Sequence, residues 1–412
     1  MAFQTGLSGL NSAAADLDII GNNVANASTV GFKGSRAQFA DVYAASLSGG
    51  GSSQIGLGSR VAAVAQQFTQ GNLTATNNAL DLAINGKGFF RVSDGGTISY
   101  TRNGQFHVDN SGFVVTSDGL PVTGYVADAS GNIVLSTPVP LQLSASQLAP
   151  SPTSQFMADL NLDSRAVPPA AALFNPADPT SYTQSTSGAV YDSLGNSHVM
   201  TLFFVKSAVA GQWALHGSVD GTALTDVNLG AGAGNPVNLN FNNAGVLTSA
   251  MPVSATVNLA GGAATPQAIA LDFGGSTQFG ADFSVNALSQ DGYTSGRLAG
   301  INVSSEGIIS GNYTNGQSNN LGQVALTTFA NPQGLKPTGN TRWEESADSG
   351  IPVTGVPGSG GFGPLQSAAV EEANVDLTAE LVRMITAQRI YQANAQTIKT
   401  QDAMLQTLVN LR

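Results

Sequence analysis

The stretch FQTGLSGLNSAAADL, residues 3–17, decides how the rest of the chain is read. Phe3, Leu7, Leu10, Ala14 and Leu17 recur at alternating spacings of four and three, a period that lays one apolar stripe along an α-helix. At the other end, Leu377, Leu381, Met384, Tyr391, Ala395, Ile398, Leu405 and Val409 keep the same seven-residue register. The first helix is expected from residue 3 to about 26, roughly 35 Å at about 1.5 Å per residue. The second starts near Asn374 or Asp376, both good capping residues, and runs to the end without Gly or Pro. Gly21 weakens the first stripe; Gln388 and Asp402 interrupt the second. Seam-bearing helices at both ends predict α-helical coiled-coil termini that pair, and self-assembly rather than catalysis. Ordering a helix costs more than a few apolar side chains return. The terminal segments are therefore expected to be disordered in an isolated monomer and helical in an assembly.

Between the ends the period changes to two. Gly88 to Val92, Ile98 to Thr101, Gln105 to Val108 and Phe113 to Thr116 read as strands. Asp94-Gly95, Asn103-Gly104 and Asp118-Gly119 supply the turns. A Pro-rich stretch, Pro138 to Pro152, interrupts this block, and a second one follows with Val199 to Val205 and Gln212 to Val219 as strands. After Asp291 the first texture resumes, as expected of a domain set into a loop of another. The fold class is mainly β with paired terminal helices and two β-rich domains, the second inserted in the first. The expected divisions are a terminal helical domain (1–30 with 370–412), linkers (31–70 and 350–369), a β-rich domain (71–150 with 286–349) and an inserted outer β-domain (151–285). Residues 44–60, rich in Ser and Gly, read as the loosest part of the first linker.

Composition narrows the function. Only 10% of residues are charged, against about 25% in an ordinary globular protein, which suits a subunit packed against copies of itself. The net charge of −11, with 15 scattered basic residues, opposes nucleic-acid binding, which needs a clustered basic face. The absence of cysteine removes disulfides, thiolate metal sites and cysteine nucleophiles. No apolar run reaches the length of a membrane span. No positive n-region precedes Lys33, so no cleaved signal peptide is expected.

Chemical motifs are absent or better explained otherwise. His107, His198 and His216 lack metal-ligand spacing and fall in expected strands. Gly358 to Gly363 spells G-x-G-x-x-G between prolines, far from any helix start. The Asp109 and Asp128 loops lack the acidic residue that closes a calcium loop and read as turns. No cofactor, metal or catalytic residue is expected, and an enzyme has no support.

At Ala25-Asn26-Ala27-Ser28-Thr29-Val30-Gly31-Phe32-Lys33 the chain resembles the A-N-x-x-T-x-G-[FY]-[KR] motif of bacterial flagellar rod and hook axial proteins. Residues 372–402 resemble the matching end motif of that group, and 80–92 and 100–125 its shared β-domain. Length, the segment 182–206 and the segment 318–352 favour the hook branch over a distal rod protein. A secreted β-rich adhesin is the alternative from another class. The resemblance implies a homopolymer: a curved tube that acts as a universal joint between rod and filament. It also implies export through the flagellar type III channel to the cell exterior. Partners would be rod, hook-cap and hook–filament junction proteins, with no nucleic acid and no membrane insertion. Phe3, Leu7, Leu10 and Leu17 would meet Leu377, Leu381, Met384, Tyr391, Ile398 and Leu405 within or between subunits. Asn26, Thr29, Gly31, Phe32 and Lys33 would shape the exit from the first helix. Glu371-Glu372 reads as tolerated variation.

Overall fold

A computed structural model describes residues 2–42, 56–128, 130–143, 147–171, 173–221, 227–259 and 261–410. The terminal helices are α1, Ala2–Ala25, and α2, Leu377–Asn410. Asp376 caps α2 by accepting from the amides of Thr378 (2.9 Å) and Ala379 (3.1 Å), which satisfies two of the first-turn donors. The two helices pair antiparallel. A Cβ on Gly6 would lie 3.1 Å from Ile398 Cγ1 and one on Gly9 would fall 2.7 Å from Asn394 Oδ1. Further along, Arg383 reaches Asp16 at 3.8 Å.

The chain forms two compact units: residues 1–145, 299–312 and 318–412, and residues 146–298 with 313–317. The first unit carries the helices, a six-stranded sheet and a five-stranded sheet. In the six-stranded sheet Phe89–Asp94 pairs antiparallel with Thr97–Thr101 around the Asp94-Gly95 turn. That turn works because Gly95 and Gly96 both take positive φ, 55° and 108°, as a two-residue hairpin demands. Its main core gathers Phe90, Val92, Phe106, Val122, Leu326 and Leu365. Phe89, Tyr100, Phe329 and Trp343 form an aromatic cluster beside it. Two short pairings bring the C-terminal lead-in home: Leu365–Ser367 onto Leu82–Ile84, and Ala369–Glu371 onto Leu73–Ala75.

The reading of 31–70 and 350–369 as linkers needs correction. Ser35–Val42 and Gly58–Gln66 form an antiparallel ribbon, held to α1 by Ser12 with Ser59 (3.1 Å) and by reciprocal bonds between Asn23 and Ser35 (2.8 and 2.9 Å). Val353–Gly355 and Leu365–Ser367 are strands as well. Ser/Gly composition hid both pairings. Residues 43–55, most of the Ser/Gly stretch, lie outside the described residues.

The second unit packs a five-stranded mixed sheet and a four-stranded antiparallel sheet around one core that includes Phe156, Met200, Phe204, Trp213, Leu215 and Leu271. Gly188 permits the contact of the sheets, since a Cβ there would fall 2.7 Å from Phe156 Cε2.

Two histidines make this unit's stability depend on pH in opposite directions. His216, stacked on Phe174 at 4.0 Å, is lowered by burial to about 4. It stays neutral in the fold while the unfolded chain takes up a proton below about 6.5. Stability therefore falls from pH 6.5 towards 4, and His216→Phe should flatten that limb. Burial would lower His198 too, but Asp220 (2.6 Å) and Asp192 (3.4 Å) outweigh it and raise it. Its contribution is complete below its unfolded value and is lost as pH rises through the folded one, so His198→Asn should flatten the alkaline limb. Urea midpoints across pH, read from Trp213 fluorescence in a Trp343→Phe background, check both; limbs that persist in the variants contradict the assignment.

Candidate functional site: where the two chain ends meet

Leaving α1, the chain runs through the motif Asn26 to Lys33. The Asn26 amide donates back to the Asn22 carbonyl (3.0 Å), and the Thr29 hydroxyl donates to Asn26 Oδ1 (3.3 Å). The first is made by the Asn26 side chain, beside the bond its backbone amide makes to the same carbonyl, and the second ties the Thr29 side chain to it. Gly31 then turns with φ +71° and its amide donates to the Glu371 carbonyl at 2.7 Å. Asn374, just before α2, accepts from the Gly34 amide (2.8 Å) and donates to the Gln67 and Thr69 carbonyls (2.6 and 3.1 Å). The exit from α1 and the approach to α2 are thus stitched together through backbone groups of residues 31–34 and 67–72.

A buried ionic triad sits at this point. Glu371, with its side chain 0% exposed, faces Lys33 (0%) at 2.6 Å and Arg102 (5%) at 3.0 Å. Its Oε1 also accepts from the Gly71 amide at 2.9 Å. Lys33 donates additionally to the Thr69 carbonyl (2.7 Å), and Arg102 to the Gly86 carbonyl (2.7 Å). Arg102 also lies over the Phe89 ring at 5.3 Å. Burial holds Lys33 below its ordinary value, with Glu371 opposing and Arg102 adding to the effect. Charges this buried persist only when paired and hydrogen-bonded. The triad is where the first helix exit, the β-domain and the second helix approach become one body.

Of the seam residues, Met384 and Ile398 are half-buried on the side of α2 that meets α1, and Leu10 and Leu17 are half-buried on α1. Phe3, Leu7, Leu377, Leu381, Tyr391 and Leu405 remain exposed, Leu7 and Leu381 by 44% each. Sequence reasoning missed Ile20 and Ala387, the most buried apolar residues of the two helices. It also missed Arg102, took Asn374 only for a possible helix cap, and above all missed Glu371, whose reading as tolerated variation is overturned by its burial. No local signal marked it, since it stands in an acidic pair with Glu372. Leucine at Gly9 should displace Asn394 and push α2 away, at a cost of about 1–3 kcal/mol. Exchange of the α2 amides in the assembled polymer checks this; unchanged protection contradicts it.

An open cleft of about 460 Å³ beside the junction is lined by Asn22, Asn26, Thr101, Asn103 and Asn340, among others. Lys33, Asp118 and Arg342 line it as well, among these amides and hydroxyls.

Comparison with known proteins gives four family matches in chain order. They are the flagella basal body rod protein family (residues 3–33), the flagellar hook protein FlgE/F/G D1 domain (83–148), the flagellar basal body protein FlaE D2 domain (161–293) and the flagellar basal body rod FlgEFG protein C-terminal family (366–411). The flagellar hook protein FlgE of Salmonella typhimurium strain LT2 is 41% identical over 419 residues, with all of each chain covered. That of Escherichia coli K12 is 40% identical over 420 residues, again with all of each covered. That of Borreliella burgdorferi is 34% identical, covering 99% of this chain and 98% of its own. The crystal structure of the Helicobacter pylori flagellar hook protein FlgE2 matches in fold, with a TM-score of 0.51 and 13% identity over 71% of this chain and 99% of its own. With full-length identity above 40% and matching domains at both ends, the chain belongs to the flagellar hook protein FlgE family.

Proposed function

We propose that this chain is the structural subunit of a bacterial flagellar hook, polymerising into a curved tube that passes torque from rod to filament. One observation carries the reading beyond family membership. The terminal helices pair with each other and still expose Phe3, Leu7, Leu377, Leu381, Val382, Ile385, Ile390 and Met404. Apolar rows of that kind on helices already paired call for further helices, and copies of the same chain carry the matching rows. Contacts of this sort are heterologous and non-closing, so they propagate into a helical polymer. In the assembly Leu7 and Leu381 would face neighbouring subunits, while Met384 and Ile398 would hold the pair within one subunit. The β-rich units would lie outside the helical core, and their low charge would leave few fixed ion pairs to break as the joint turns.

The partners that fit this role are rod, hook-cap and hook–filament junction proteins, with the export apparatus delivering the chain to the cell exterior without a cleaved signal peptide. Electron microscopy of the concentrated protein tests the reading. Curved tubes with a central channel are expected; straight shafts would move it to the rod branch, and dispersed monomers would overturn it.

A further inference from the structure

We infer that Glu371 makes closure of the first β unit conditional on the arrival of the chain's own C-terminal segment. Lys33 and Arg102 belong to the first quarter of the sequence. Among the described residues, the carboxylate that meets both is Glu371, 338 and 269 positions later. Without it the two cations would share a pocket with no carboxylate among the described residues, left to the Thr69 and Gly86 carbonyls and the Phe89 ring, each raising the cost of the other. Two uncompensated buried charges are among the severest defects a core can hold. Until residue 371 is present, Lys33 and Arg102 must therefore stay in water, and the segments carrying them cannot dock.

Backbone pairing enforces the same order. Leu73–Ala75 and Leu82–Ile84 find their partners in Ala369–Glu371 and Leu365–Ser367, and the Gly31 amide finds its acceptor in the Glu371 carbonyl. A chain that emerges from its N-terminus thus keeps the α1 exit undocked until the segment preceding α2 has emerged. The device prevents α1 from being fixed before its helical partner exists. The bond from the Gln67 amide to the Gly34 carbonyl, 2.7 Å long, lies wholly within the early segment, so a delay in its protection reports the charges rather than the late strands.

Pulse-labelled amide exchange during refolding of the full chain from urea tests the order. In the wild type, the Gln67 amide and the Ala369 amide, which donates to the Asp81 carbonyl, should gain protection in one phase. In the chain carrying Lys33→Met, Arg102→Met and Glu371→Gln, where all three charges are gone, Gln67 should become protected at least about tenfold sooner than Ala369. Protection of Gln67 ahead of Ala369 in the wild type would overturn the inference, and so would a single common phase in the triple variant. The wild-type measurement decides even if the variant folds poorly.

Discussion

Alanine at position 371 is expected to destabilise the first unit by about 3–5 kcal/mol and to abolish assembly. The loss does not measure the attraction of one ion pair. It arises because Lys33 and Arg102 stay buried after their shared carboxylate has gone, and because the Gly71 amide loses its acceptor. Neutralising all three charges should return much of the loss, since a buried ion network is often no more stable than apolar residues of the same volume. Urea unfolding followed by Trp343 fluorescence in a Trp213→Phe background reads the first unit; among the described residues the indole nitrogen of Trp213 has no hydrogen-bond partner, so that background removes no hydrogen bond. A midpoint shift worth less than about 1 kcal/mol, the value of an exposed pair, would show that the triad is not load-carrying.

Gly31→Ala is the second large effect. At φ +71° an alanine is strained by about 1–2 kcal/mol, and here the space is also occupied. Its Cβ would fall 2.4 Å from the Asn103 nitrogen and 2.7 Å from the Arg102 carbonyl carbon. Both are backbone atoms, beside the triad, and neither can rotate aside. Displacing them adds overpacking of about 1–3 kcal/mol and threatens the bond from Gly31 to Glu371. Gly95→Ala is the control, because φ is +55° and nothing lies within 4 Å. Thermal unfolding should show a markedly larger loss for Gly31→Ala; equal losses would mean that conformation alone, and not the close approach to Asn103, accounts for the glycine.

Of these two positions, Gly31 was readable in the sequence and Glu371 was not. The terminal helices were legible because their signal is local: spacings of three and four in both, and in α2 an Asp cap and no internal Gly or Pro. The hairpin at Asp94-Gly95 was legible for the same reason. The paired face of α2 was only partly so. A strict seven-residue row drifts by about 20° per heptad on a straight helix, or about 80° from Leu377 to Leu405. The row therefore does not keep to one face: Met384 and Ile398 are half-buried and Ala387 is buried where Gln388 had looked like a break, while Leu377, Tyr391 and Leu405 stay exposed. Glu371 was illegible because its partners lie hundreds of positions away, and no local pattern distinguishes a buried acid from a tolerated one. The ribbon of Ser35–Val42 with Gly58–Gln66 was obscured by composition, since its pairing depends on a strand beyond the Ser/Gly stretch.

The central claim is that copies of this chain cover the apolar rows left exposed on its terminal helices. Amide exchange compared between the dilute chain and the assembled polymer tests it most directly. The account predicts weak protection of α1 and α2 in the dilute chain, read at Leu10 and Leu381, and strong protection at the same amides in the polymer. Strong protection already present in the dilute chain and unchanged on assembly would contradict it.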